Sequence, residues 1–190
     1  MLKRYYTFKK DEIQGVLKLL VENKAESKVK LCEYDVPTAN SERYENFYYH
    51  GCKCIKCGVK AEFAALEKDV CSKDKYHINL YAIVNGQERL LTKDHIYPRS
   101  KGGYDALVNY QVLCSKCNSS KGNKTELTPE VALERGYTSL ERVETIKRLE
   151  AVKGEITHYE QMLTHKRRVY GNLQRELAEL IPPRNKEEFI

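Results

Sequence analysis

The chain has 190 residues, enough for one domain with extensions, and its 41% hydrophobic fraction allows a core of modest size. It carries a formal charge of +6, and the excess sits in residues 51–127, with 13 basic and 8 acidic side chains, as a polyanion binder needs, although ordinary solubility charge gives the same sign. No run of about 18 apolar residues exists, which excludes a transmembrane helix, a polar stretch after Met1 argues against a signal peptide, and seven cysteines, an odd number, argue against a secreted disulfide framework and for a reducing, intracellular and cytoplasmic setting.

Taken in order, residues 9–23 predict a helix, because Ile13, Val16, Leu17 and Leu20 recur on one face. Lys28 to Tyr34 alternates as a short strand, and Pro37 to Arg43 is a polar loop. Phe47, Tyr48 and Tyr49 lead into His50 and Gly51. The tyrosines of this stretch (Tyr5, Tyr6, Tyr44, Tyr48 and Tyr49) can pack a small core or stack on bases. Residues 60–69 have the composition of a short helix. His77 to Val84 and Gln87 to Lys93 predict a hairpin around Asn85-Gly86, the dipeptide favoured at tight turns. The second strand runs straight into Asp94 and His95. After Gly102-Gly103, an extended piece over Val108 to Leu113 precedes Cys114, and a helix is expected on Asn118 to Lys121.

Beyond residue 127 the pattern turns helical. Thr128-Pro129 opens a short helix that Gly136 closes, and Thr138 to Glu141 reads as a capping box. From there to Ile181 there is no proline, and Pro182-Pro183 ends the run. Leu149, Val152, Ile156, Tyr159, Leu163, Lys166, Tyr170, Leu173, Leu177 and Leu180 alternate at spacings of three and four. That is a heptad seam, and a helix of this length calls for a partner, most simply a second copy in a homodimer.

Cys54, Cys57, Cys114 and Cys117 form two Cys-x-x-Cys pairs. The two-residue gap lets both sulfurs of a turn reach one ion, and two such turns make a closed tetrahedral zinc site. Cys52 is a rival to Cys54, which is preferred because its spacing to Cys57 repeats that of the other pair. Cys32 and Cys71 have no partner in spacing and read as core thiols. His50, His77, His158 and His165 carry no assignment.

Asp94-His95-Ile96 with Pro98, Gly102-Gly103, Asn109, and Cys114-x-x-Cys117-Asn118 with Lys121 resembles the HNH endonuclease family over residues 52–124. The cysteine-framed version is similar to the phage-type enzymes, which act inside a host cell, and to the nuclease core of endonuclease VII. The resemblance implies an α+β protein with a ββα-metal core: a hairpin and a helix clasping one divalent ion. His95 would be general base, since an imidazole titrates near neutrality. Asp94 and Asn118 would hold Mg²⁺ or Mn²⁺ through oxygen, as hard cations prefer. Asn109 would brace the loop that carries His95. Lys121, Arg99, Lys101, Lys116 and Lys124 would grip the backbone of DNA.

The organisation expected is an N-terminal extension over 1–50, an HNH nuclease domain over 51–127 and a helical, coiled-coil region over 128–190. Two other readings stay open on sequence grounds: a zinc-knuckle nucleic-acid binder without turnover, and an assembly protein whose coiled coil matters more than its site.

Overall fold

The structure, a computed structural model, describes residues 2–38, 42–69 and 76–180. Cys71 and Pro182-Pro183 therefore lie outside the described residues. The chain divides into two compact units, residues 1–143 and 144–190.

The first unit is built on a five-stranded antiparallel sheet. Strands β1 (Leu2–Lys9), β4 (Phe63–Asp69), β5 (Tyr76–Val84), β6 (Gln87–His95) and β7 (Tyr110–Cys114) lie side by side in that order. A separate hairpin pairs β2 (Lys28–Leu31) with β3 (Tyr34–Pro37). Helix α1 (Ile13–Glu22) packs on α2 (Glu42–His50), and α2 packs on β6 and β7. The buried face of α1 is Ile13, Val16, Leu17, Leu20 and Val21, the predicted stripe with one addition. That stripe joins Phe47, Leu66, Ile78, Leu80, Leu91 and Val112 in one core. Residues 2–50 thus share a unit with the motif-bearing segment.

The β5–β6 hairpin forms as predicted. Asn85 and Gly86 both take positive φ, 51° and 76°, the geometry of a type I′ turn. The helix expected over 60–69 is instead β4. Alanine, leucine and glutamate favour a helix locally, but β4 has hydrogen-bonding partners on both edges, β1 and β5. Ala64, Ala65, Leu66 and Glu67 are all buried, and pairing overrides propensity. Glu67 is stabilised there by Arg4 Nε at 3.0 Å, Asn79 Nδ2 at 2.6 Å and the Tyr81 hydroxyl at 2.8 Å. The single strand expected over 28–34 is a two-strand hairpin. Its turn gives Cys32 a φ of 54° without the usual Gly or Asn signal. Cys32 is exposed, so it is a turn residue and not a core thiol. The aromatic run Phe47-Tyr48-Tyr49 belongs to α2, where Tyr44 and Phe47 are buried one turn apart.

Helix α4 (Pro129–Glu134) is capped by Thr128 Oγ1, which accepts from the Val131 N–H. Helix α5 spans Leu140–Leu180. Its cap is Ser139, whose Oγ accepts from the Arg142 N–H at 3.3 Å, in place of the capping box expected at Thr138. Thr138 is buried and donates to the Gly102 carbonyl at 2.7 Å. In the second unit, the nine apolar or aromatic seam residues from Leu149 to Leu180 are between 50% and 79% exposed. No helix among the described residues is long and apolar enough to cross a membrane.

Candidate functional site

Helix α3 (Ser115–Lys121) begins directly at the end of β7, three residues earlier than the sequence suggests. This early start turns Cys117 back beside Cys114. The other pair sits on a knuckle over residues 52–60, which is tied to the sheet where the Ile55 N–H donates to the Val112 carbonyl at 3.0 Å. The sulfurs of Cys54, Cys57, Cys114 and Cys117 consequently lie within 4.8 Å of one another, with Cys57 and Cys114 at 3.7 Å. Tetrahedral bonds of about 2.3 Å place sulfurs roughly 3.8 Å apart, so the cluster could hold an ion such as zinc. Burial opposes ionisation of Cys54, yet the N–H groups of Cys114, Cys57 and Lys56 outweigh it and bring the thiol down to about 6. Burial and the neighbouring sulfurs push Cys117 up to about 12. One thiolate is favoured, and four require a cation. Cys52 lies outside the cluster: it meets Phe47 O and Gln14, and burial pushes it up to about 11.

The Gly-Gly loop after β6 is closed by Asn109, which is fully buried at the end of a 3₁₀ turn over 107–109. Its Nδ2 donates to the carbonyls of Tyr97 and Tyr104 at 3.0 and 2.9 Å, and its Oδ1 accepts from the Tyr97 N–H at 2.8 Å. Gly102 takes a left-handed φ of 94°. Gly103 approaches so closely that a Cβ there would sit 2.0 Å from the Tyr97 carbonyl oxygen. The start of α5 holds the outside of this turn, with Arg142 Nη1 donating to Gly103 O at 3.0 Å. Gly103→Ala should therefore cost about 1–3 kcal/mol by overpacking. Gly15→Ala, where nothing lies within 4 Å of the added carbon in α1, should stabilise by roughly 0.5–1 kcal/mol. Thermal melts of the two variants check both signs.

His95 is the last residue of β6. Its Nε2 lies 2.8 Å from Asp105 Oδ1, and its ring meets Tyr110 edge-on at 5.0 Å. Arg99 reaches the other Asp105 oxygen at 3.4 Å. The hydrogen bond from His95 holds the Asp105 carboxyl below its ordinary range. Asp105 is the residue that sequence reasoning missed. The available signal was a carboxylate placed between the Gly-Gly turn and Asn109.

Asp94 faces the other side of the strand, as alternation requires. Its Oδ2 accepts from Gln111 Nε2 at 2.7 Å and lies 3.0 Å from Lys121 Nζ. Lys121 also donates to the His95 carbonyl at 2.8 Å. Asn118, one turn earlier on α3, donates through Nδ2 to Thr92 Oγ1 at 3.0 Å. Thr92 and Asp94 share a strand face, so Asn118 and Lys121 line the same side of β6. The ammonium beside Asp94 shows that this face accommodates positive charge. Lys121 is thus committed to the strand end, while Lys101, Lys116 and Lys124 are exposed.

No curated protein and no solved structure matches the chain. Residues 85–129, which hold β6, the Gly-Gly loop, β7 and α3, match the family model for HNH endonucleases, so this segment is similar to that family.

Proposed function

We propose that this chain is a metal-dependent endonuclease that hydrolyses DNA phosphodiester bonds, with a ββα-metal core formed by β6, β7 and α3. The observation that carries the proposal is the end of β6: an imidazole hydrogen-bonded to a carboxylate on one side, and a carboxylate with an amide from α3 on the other. With Asp105 accepting from Nε2–H, His95 keeps Nδ1 to take a proton from the attacking water. Asp105 orients the ring and balances the positive charge that it gains. Asn109 fixes the loop between them.

Asp94 Oδ1 and the Asn118 amide oxygen would hold Mg²⁺ or Mn²⁺, a donor pair that suits hard cations. Such an ion supplies Lewis-acid stabilisation of the scissile phosphate and of the leaving 3′ oxygen. Arg99, Lys101, Lys116 and Lys124 lie on the same segment and would add backbone contacts. The four-cysteine cluster would hold a structural zinc that fixes α3 against the knuckle. Nicking of a supercoiled plasmid in Mg²⁺, abolished by EDTA, is the expected result. DNA binding without nicking in Mg²⁺ or Mn²⁺ would point to a binding module instead.

The exposed seam of α5 also favours self-association. A 41-residue helix is about 62 Å long at about 1.5 Å per residue. Its apolar stripe repeats at the heptad spacing that packs against a second helix. Light scattering at micromolar concentration should give the mass of a dimer, and Leu163→Lys with Leu173→Lys should give a monomer. A wild-type monomer would remove the coiled coil from the account.

A further inference from the structure

Beside the Asp94–Lys121 pair lies an open cavity of about 650 Å³, within the range of sites that enclose a small-molecule-sized group. The knuckle contributes Ile55 and Lys56, the turn after β6 Ile96, and β7 Gln111 and Leu113, while α3 contributes Lys121 and the chain beyond it Lys124, Leu127 and Arg135. Two features define its chemistry. The wall is aliphatic: Ile55, Ile96, Leu113 and Leu127. The rim is cationic, and among the described residues no ion pair engages Lys56, Lys124 or Arg135, while the lining holds one acid, Glu126.

We propose that this cavity takes a nucleotide of the DNA strand that is cut, with its base on the aliphatic wall and its flanking phosphates on Lys56, Lys124 and Arg135. The proposal rests on the nuclease reading above and adds a preference for unpaired DNA. Phosphates alone would need the cations but not the wall. An apolar small molecule would need the wall but not a rim of three cations against one acid. A nucleotide outside a duplex offers both faces at once, whereas a paired base keeps its faces stacked within the helix. The cavity adjoins Ile96 and Lys121, which touch the residues at the end of β6, so the bound nucleotide would neighbour the scissile phosphate.

The test is equilibrium binding by fluorescence anisotropy in chelator-free buffer without Mg²⁺ or Mn²⁺, where the nuclease reading expects no cleavage. It uses zinc-loaded protein and two DNAs of equal length: a full duplex, and a duplex with a short single-stranded gap. The wild type should bind the gapped DNA about tenfold more tightly. Lys56→Gln with Arg135→Gln should weaken binding to both DNAs and reduce the slope of log affinity against log salt by about 1–2. Ile55→Asp, at a side chain 63% exposed and so tolerated by the fold, should remove the preference for the gap. Equal wild-type affinity for both DNAs, or an unchanged salt slope in the double variant, would overturn the proposal. Plasmid nicking by the same preparations separates the two ideas. Loss of binding in the variants of a protein that does not nick keeps the cavity and removes the nuclease. Nicking with variant-independent binding does the reverse.

Discussion

Cys54→Ser and Cys117→Ser should each release one equivalent of zinc and lower stability by about 4 kcal/mol or more, the range reached when a structural metal is lost. For a unit of this size that is a fall in Tm of roughly 10 °C or more. The expectation comes from the geometry of the quartet. Cys54 and Cys114 are fully buried and Cys117 is nearly so, and an ion is the only partner that can satisfy four thiolates within 4.8 Å. The cluster ties the knuckle to α3, and α3 in turn positions Asn118 and Lys121 against β6. The damage should therefore spread from the cysteines to the strand end. Cys52→Ser, at a thiol outside the quartet, should keep its zinc. Elemental analysis with thermal melting checks all three variants. Protein without metal that melts at the wild-type temperature would defeat the structural role.

His95→Ala should lower cleavage by about 10²–10⁴-fold, the cost of removing a general acid–base group, while fold, zinc content and DNA affinity persist. The side chain sits at the strand end, bonded to Asp105 and in ring contact with Tyr110. It touches neither the cysteine quartet nor the Asp94 side of β6. Asp94→Ala should behave differently. It removes the carboxylate that would hold the catalytic cation, so activity should shift to higher metal concentration before it is lost. Asn118→Ala should follow Asp94→Ala. Asp105 stays ionised as pH falls through the ordinary carboxylate range, because the hydrogen bond from His95 holds its carboxyl below its ordinary value.

What the sequence made legible was what depends on near neighbours. Asn85-Gly86 announced a hairpin because its turn needs two positive φ values. The α1 stripe announced a buried face, and the Cys-x-x-Cys spacing announced the quartet. What depends on distant pairing was hidden. β4 is helical by composition and becomes a strand only because β1 and β5 flank it. Residues 2–9 gave no pattern, since their partner lies some sixty positions away. The aromatic run in α2 gave no helix signal, because its buried face is set by the sheet beneath it. Asp105 was hidden for the same reason: only the Gly-Gly loop, locked by Asn109, brings it to His95. Lys121 could be placed on α3 beside the site, but not in contact with Asp94 and the His95 carbonyl.

The most direct test is plasmid nicking in Mg²⁺ by wild type and His95→Ala, beside a gel shift on the same preparations. The account predicts a wild type that nicks and a variant that binds DNA equally well but cuts at least about a hundredfold more slowly. A variant that nicks at the wild-type rate would contradict it.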